Sequence, residues 1–147
     1  MNRETPSQKY LIVGTGRSGS SLLCAILAEA GAAFSVSSPA AWSRDAGAYE
    51  PSALHRAYKY HNRLQKISES LIPAFPLKRY CRKKRDQNLG ILNAATFFKS
   101  SKLVWLVQPI YRLGYSPVII LCYREFDNYA KSRYLRFGWD MHRLEET

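Results

Sequence analysis

Acids are scarce in this sequence. Only 11 Asp and Glu stand against 22 Lys and Arg, so the formal charge is +11 and the pI is near 9.8. An imbalance of this size draws anions by long-range attraction, and nucleotides, acidic or sulfated glycans, nucleic acid and anionic lipid all qualify as partners. Cysteine is rare too: Cys24, Cys81 and Cys122 lie far apart and share no metal-ligand spacing with His55, His61 or His142. That argues against a disulfide framework and a metal site, and predicts buried free thiols. No apolar run approaches the roughly eighteen residues that span a bilayer, and no N-terminal segment has the basic, apolar, small-residue order of a secretory leader. The expectation is a cytoplasmic chain without a membrane span.

What is present suits a folded domain. Of the 147 residues, 46% are hydrophobic and 13% aromatic, enough for one core but not two. A single domain over 1–147 is expected, with residues 1–8 as a polar, disordered tail.

The densest information lies between Lys9 and Ala30, KYLIVGTGRSGSSLLCAILAEA. Tyr10 to Val13 reads as a short buried strand closed by Gly14. From Ser20 onward Leu22, Leu23, Ile26 and Leu27 recur at helical spacing, and Gly31 stands where a C-terminal cap belongs. Between strand and helix, Gly14, Gly16 and Gly19 let the backbone turn sharply, so that successive N–H groups and a helix N-terminus converge on one anion. Arg17 adds a forked cation, and Ser18, Ser20 and Ser21 add hydroxyls. Two familiar loops are approached and missed. A Walker A loop would carry Lys where Ser20 stands, and a dinucleotide fingerprint would need an acid about twenty residues on, where the chain reads FSVSSP from Phe34 to Pro39.

Further along, Ala32 to Tyr49 reads as a long irregular segment, and Pro51 opens a helix from Ser52 to about Leu71. Pro73 and Pro76 break that pattern. The run Leu77 to Asp86 then gathers six basic residues, which read as a solvated face or loop, or as an electropositive rim for an anionic substrate. Nucleic acid is disfavoured as its partner, since Tyr80 alone is interleaved. Ala94 to Lys99 reads as a second strand ending in a cation, with a helix from Ser100-Ser101 to about Leu113. Lys99 there reads equally as a lysine that merely closes a strand or as one that meets the ligand of the first loop. Pro117 to Tyr123 has the unbroken apolar character of a buried parallel strand, and it leads into Arg124 and a helix from Glu125 to Phe137. Ser132 follows Arg124 by eight residues; the pair reads as a capping Arg and a surface Ser, or as two groups that converge on one phosphate if the first helical turn skews back over the strand end.

Arg17-Ser18-Gly19-Ser20-Ser21 resembles the 5′-phosphosulfate loop of the sulfotransferases, with Gly16 in place of the usual Pro. The strand, Arg124 and Ser132 resemble that family's 3′-phosphate motif, with Glu125-Phe126 in place of its usual continuation. The resemblance runs from Tyr10 to Gly138 and implies a P-loop-type three-layer α/β sandwich with a central parallel sheet flanked by helices. Family members continue into further strands and a basic C-terminal loop, whereas this chain ends at Thr147, so a C-terminally truncated sandwich is expected. The implied donor is 3′-phosphoadenosine 5′-phosphosulfate (PAPS), with no metal. By the resemblance, Arg17 serves the bridging and leaving phosphate oxygens, and Gly16, Ser18, Gly19, Ser20 and Ser21 form the cradle. Lys99 assists, and Arg124 and Ser132 hold the 3′-phosphate.

A sulfuryl acceptor needs a general base, and Glu50 is the first candidate with His55 second. Glu50 reads equally as an acid favoured at a helix N-terminus. The acceptor is a glycan, lipid or small molecule with a hydroxyl or amine. The alternative is a P-loop kinase-like or non-catalytic nucleotide-binding protein, which would want a strand ending in Asp as a magnesium ligand. None of the three candidate strands ends in one.

Overall fold

The computed structural model describes residues 7–14, 18–36, 49–69, 74–125 and 127–128. Three strands, β1 (Ser7–Gly14), β2 (Phe97–Lys99) and β3 (Tyr115–Cys122), form an open, all-parallel sheet in the order β2-β1-β3. Between β1 and β2 lie helices α1 (Ser20–Glu29), α2 (Ser52–Glu69) and α3 (Phe75–Leu89) and a 3-10 turn over Gly90–Ala94. Helix α4 (Leu103–Arg112) carries the chain from β2 to β3. The architecture is thus α/β with a parallel sheet and helices.

Alternation along β1 decides which helix meets which face. Leu11 and Val13 point into a core with Phe98 of β2, Leu54 and Ala57 of α2, Leu89 of α3 and Leu103, Leu106 and Ile110 of α4. Ile12 points the other way, into a smaller core with Cys24 of α1, Tyr49, Phe34 and Ile120. Each fully buried Leu or Ile contributes about 1.5–3 kcal/mol, so both layers of helices are held chiefly by this pattern. The register sets Ile12 beside Lys99 on one side and Gly14 beside Cys122 on the other.

Three expectations are corrected. Of the tail expected over residues 1–8, residues 1–6 lie outside the described residues, while Ser7 and Gln8 pair with Tyr115 and Ser116 and so belong to β1. Lys9 anchors that start: its buried ammonium donates to the Ala95 carbonyl at 2.9 Å and lies 5.4 Å from the centroid of the Tyr115 ring. The second strand begins only at Phe97, since the 3-10 turn takes Ala94. The helical pattern does break before Pro76, α2 ending at Glu69 and α3 beginning at Phe75 with Pro76 in its first turn, where its missing N–H has no intrahelical partner to lose; the basic run from Leu77 lies on α3 rather than in a loop. Finally, among the described residues β3 is not buried between strands. It is the edge of the described sheet, with Ile119 49% and Leu121 72% exposed, and an edge is where Pro117 costs no ladder bond.

The helix expected after Arg124 falls for the most part outside the described residues. Cys24 and Cys81 are buried and Cys122 half-buried, all as free thiols. No helix among the described residues is long and apolar enough to cross a membrane.

Candidate functional site

The C-terminal ends of the three strands converge on one spot, beginning at Gly14. A Cβ on Gly14 would stand 2.3 Å from Ser18 Oγ, 3.0 Å from Cys122 Cβ and 3.2 Å from the Cys122 carbonyl oxygen. The glycine is required because β3 and the returning loop both approach within side-chain distance. Gly19, with φ +85°, then caps the N-terminus of α1 in the left-handed region. The first turn of α1 has neither an acid nor a side-chain cap, so its leading N–H groups face the strand ends with their partial positive charge uncompensated by either. Ser18 and Ser20 are buried there. Ser18 Oγ has no hydrogen-bond partner among the described residues, although burial without one costs about 1–3 kcal/mol.

Lys99 completes the spot from β2. Phe98 turns into the larger core, so Phe97 and Lys99 take the opposite face, the side of α1. The Ser100 N–H donates to the Ile12 carbonyl at 3.2 Å and closes β2 against β1 at this point. Only 5% of Lys99 is exposed. Its Nζ donates to Ser21 Oγ at 3.0 Å and lies 3.1 Å from Glu50 Oε1. A buried ammonium needs such partners, since removing a charge from water costs several kcal/mol.

Glu50 reaches the lysine through two constraints on its backbone. Tyr49 before it is buried and holds φ +65°, a left-handed conformation that costs about 1–3 kcal/mol for a residue with a side chain. Its ring packs on Phe34 at 5.2 Å, and Phe34 packs on Phe97 of β2 at 5.6 Å. Pro51 after it narrows the backbone choices of Glu50 itself. The carboxylate is thus carried to β2 by a row of tilted aromatic rings at the entry to α2, with 29% of its side chain left exposed.

Two thiols share the neighbourhood. Burial pushes Cys24 up to about 11, against the opposing pull of the Lys99 ammonium, and burial also raises Cys122. Both stay protonated near neutral pH, which leaves the site without a thiolate nucleophile. The Cys24 shift has a consequence for stability. A thiol whose folded pKa lies above its unfolded value stabilises the fold fully below that value and loses the contribution as pH rises to the folded pKa. Urea midpoints should therefore fall between pH 9 and about 11, and Cys24→Ala should fall less steeply over that window than the native chain.

The structure brings Ser18, Gly19, Ser20, Ser21, Lys99 and Glu50 together. Arg124 lies exposed two residues beyond the Gly14 and Cys122 register pair, at the same end of the sheet. His55 is exposed on the first turns of α2. Gly16, Arg17 and Ser132 lie outside the described residues. No group of three metal-ligating side chains occurs among the described residues. Comparison with models of known families, with curated proteins and with solved structures finds no match. The chemistry of the site is accordingly read from its donors: hydroxyls, a helix N-terminus and one buried ammonium, all suited to an anion's oxygens. Sequence reasoning missed Tyr49 as the residue that presents Glu50, and no local signal marks its left-handed backbone.

Proposed function

We propose that the chain transfers a sulfuryl group from PAPS to a hydroxyl or amine acceptor, on a sheet of the P-loop sandwich type. The observation that carries this reading is the buried Lys99 ammonium held on Ser21 and Glu50 beside the Ser18 hydroxyl, which has no partner among the described residues. The position supports it as well. In a β2-β1-β3 order the chain leaves β1 toward one side and crosses to the other, and ligands of open α/β sheets gather at the carboxyl ends where that reversal occurs.

A tetrahedral anion fits the donor set. Ser18 Oγ has no hydrogen-bond partner among the described residues, and the first turn of α1 after Gly19 carries no acid of its own. PAPS supplies the sulfuryl group and the phosphate oxygen that leaves with the electron pair of the broken S–O bond. Ser18, Ser20 and Ser21 orient the phosphosulfate, and Lys99 with the α1 N-terminus neutralises charge that builds on the leaving oxygen. The anion competes with Glu50 for the ammonium and so releases the carboxylate. Glu50 then takes the acceptor's proton as the acceptor oxygen or nitrogen bonds to sulfur. The resemblance adds Gly16 and Arg17 to the cradle and Arg124 and Ser132 to the 3′-phosphate.

Calorimetric titration with 3′-phosphoadenosine 5′-phosphate, beside 5′-AMP and ATP with magnesium, tests this. The expected result is binding that needs the 3′-phosphate and no metal. Equal binding of 5′-AMP, or a magnesium requirement, would favour the kinase-like alternative.

A further inference from the structure

Helices α2 and α3 carry ten Lys and Arg against two acids, Glu69 and Asp86, a net +8 within a chain of formal charge +11. Asp86 is already engaged by Arg85 at 2.7 Å. The cations are ordered into stripes. On α2, Arg56, Lys59, Arg63 and Lys66 recur at three- and four-residue steps, and all four are exposed on the side away from buried Leu54 and Ala57. At 1.5 Å per residue that stripe extends about 15 Å. On α3, Arg79, Arg82 and Lys83 are exposed; Arg79 and Lys83 lie away from buried Cys81 and Leu89, and Arg82 flanks that face two turns before Leu89. The helices lie side by side: Arg56 Nε donates to Asn88 Oδ1 at 3.0 Å, and the Tyr60 and Tyr80 rings meet edge-on at 6.2 Å. Like charges at such steps repel and weaken a helix, and no acid stands within either stripe.

The chemistry around the stripes selects among polyanions. Binders of single-stranded nucleic acid offer aromatic faces on which bases stack. Here Tyr60 and Tyr80 meet each other, the Lys84 ammonium lies 5.9 Å from the Tyr80 centroid, and the Lys102 ammonium lies 5.2 Å from that of Tyr58. A membrane-surface helix sets a continuous apolar face toward the bilayer, yet every exposed residue of α2 is polar, and on α3 the exposed Phe75 and Tyr80 stand among the exposed Arg79, Arg82 and Lys83. What remains is a hydrated chain whose anionic groups repeat along its length.

We propose that the α2–α3 pair is a docking surface for an acidic polysaccharide, whose carboxylate or sulfate groups lie along the two basic stripes. The surface rests on charge and burial alone and stands apart from the transfer chemistry above. Its α2 stripe begins six residues after Glu50, so a docked chain leads toward the strand ends.

The test is fluorescence anisotropy of the full chain with a labelled, sulfated uronic acid–glucosamine oligosaccharide, beside poly(U), phosphatidylserine vesicles and neutral dextran. The oligosaccharide is expected to bind most tightly. K59Q/R63Q/K66Q and, separately, R79Q/R82Q/K83Q should each weaken it by about tenfold or more and flatten its salt dependence by about two to three counterions. The substituted residues are exposed, circular dichroism confirms the fold, and either variant set reads the effect without the other. Unchanged affinity in both sets, or tighter binding of poly(U) or vesicles, overturns the proposal. Titrating the same variants with 3′-phosphoadenosine 5′-phosphate keeps the two readings separable. Retained nucleotide binding with lost oligosaccharide binding assigns the stripes to the polysaccharide alone, whereas a native chain that binds the oligosaccharide but not the nucleotide sinks only the transfer reading.

Discussion

Lys99→Met is expected to weaken binding of 3′-phosphoadenosine 5′-phosphate by about 10- to 100-fold, since a hydrogen bond to a charged group is worth roughly 1.5–3 kcal/mol. The methionine keeps the apolar stem packed while removing the ammonium that holds Ser21 and Glu50. It also leaves the Glu50 carboxylate without this partner. Because 29% of that side chain already meets solvent, the cost to the fold is about 1–3 kcal/mol rather than the 3–5 of a fully buried pair broken on one side. The two effects can be pulled apart. Lys99→Met/Glu50→Gln removes both charges, so urea denaturation should show most of the stability returned, while calorimetry should show nucleotide binding still weak. If the double variant recovered binding as well, the lysine would serve only to neutralise Glu50, and the anion site would have to be placed without it.

The same pair shows where the sequence is legible and where it stops. Gly14, Gly19 and the helix after Ser20 are readable because each is specified locally, by a turn residue or by apolar spacing. Lys99 and Glu50 each stand out by type, one after an apolar run and one before Pro51. Their meeting is not local: Ser21 and Lys99 lie 78 residues apart, and what joins them is the register Ile12 to Lys99. A slip of one residue would send the lysine into the larger core and Phe98 to the α1 side, so burial of Phe98 selects the register that delivers the cation. The edge position of β3 was hidden for a related reason. An unbroken apolar run such as Val118 to Leu121 looks the same in a centre strand and at an edge, and only pairing tells them apart. Ser7 and Gln8 gave no local strand signal and join β1 only because Tyr115 and Ser116 are there to pair with them. The basic run from Leu77 was ambiguous because its charges mask the helical face that buries Cys81 and Leu89.

Gly14→Ala carries the second large effect. The added methyl would stand 2.3 Å from Ser18 Oγ, a separation that real Cβ atoms do not adopt, with Cys122 at 3.0 and 3.2 Å behind it. Ser18 cannot keep its place, and the neighbouring contact is with the carbonyl of a paired strand, which has little freedom to yield. Overpacking of this kind costs about 1–3 kcal/mol, or roughly 3–10 °C in Tm for a domain of this size. Displacing Ser18 also removes a hydroxyl from the proposed cradle, so nucleotide affinity should drop by about tenfold or more. Gly14→Ala/Ser18→Ala isolates the causes. Deleting the hydroxyl relieves the 2.3 Å contact but not the approach of β3, so thermal melting should show partial recovery, and titration should show no recovery of binding. Full recovery of both in the double variant would mean that Ser18 contributes nothing to the anion, and that Gly14 is conditioned by packing against Ser18 alone.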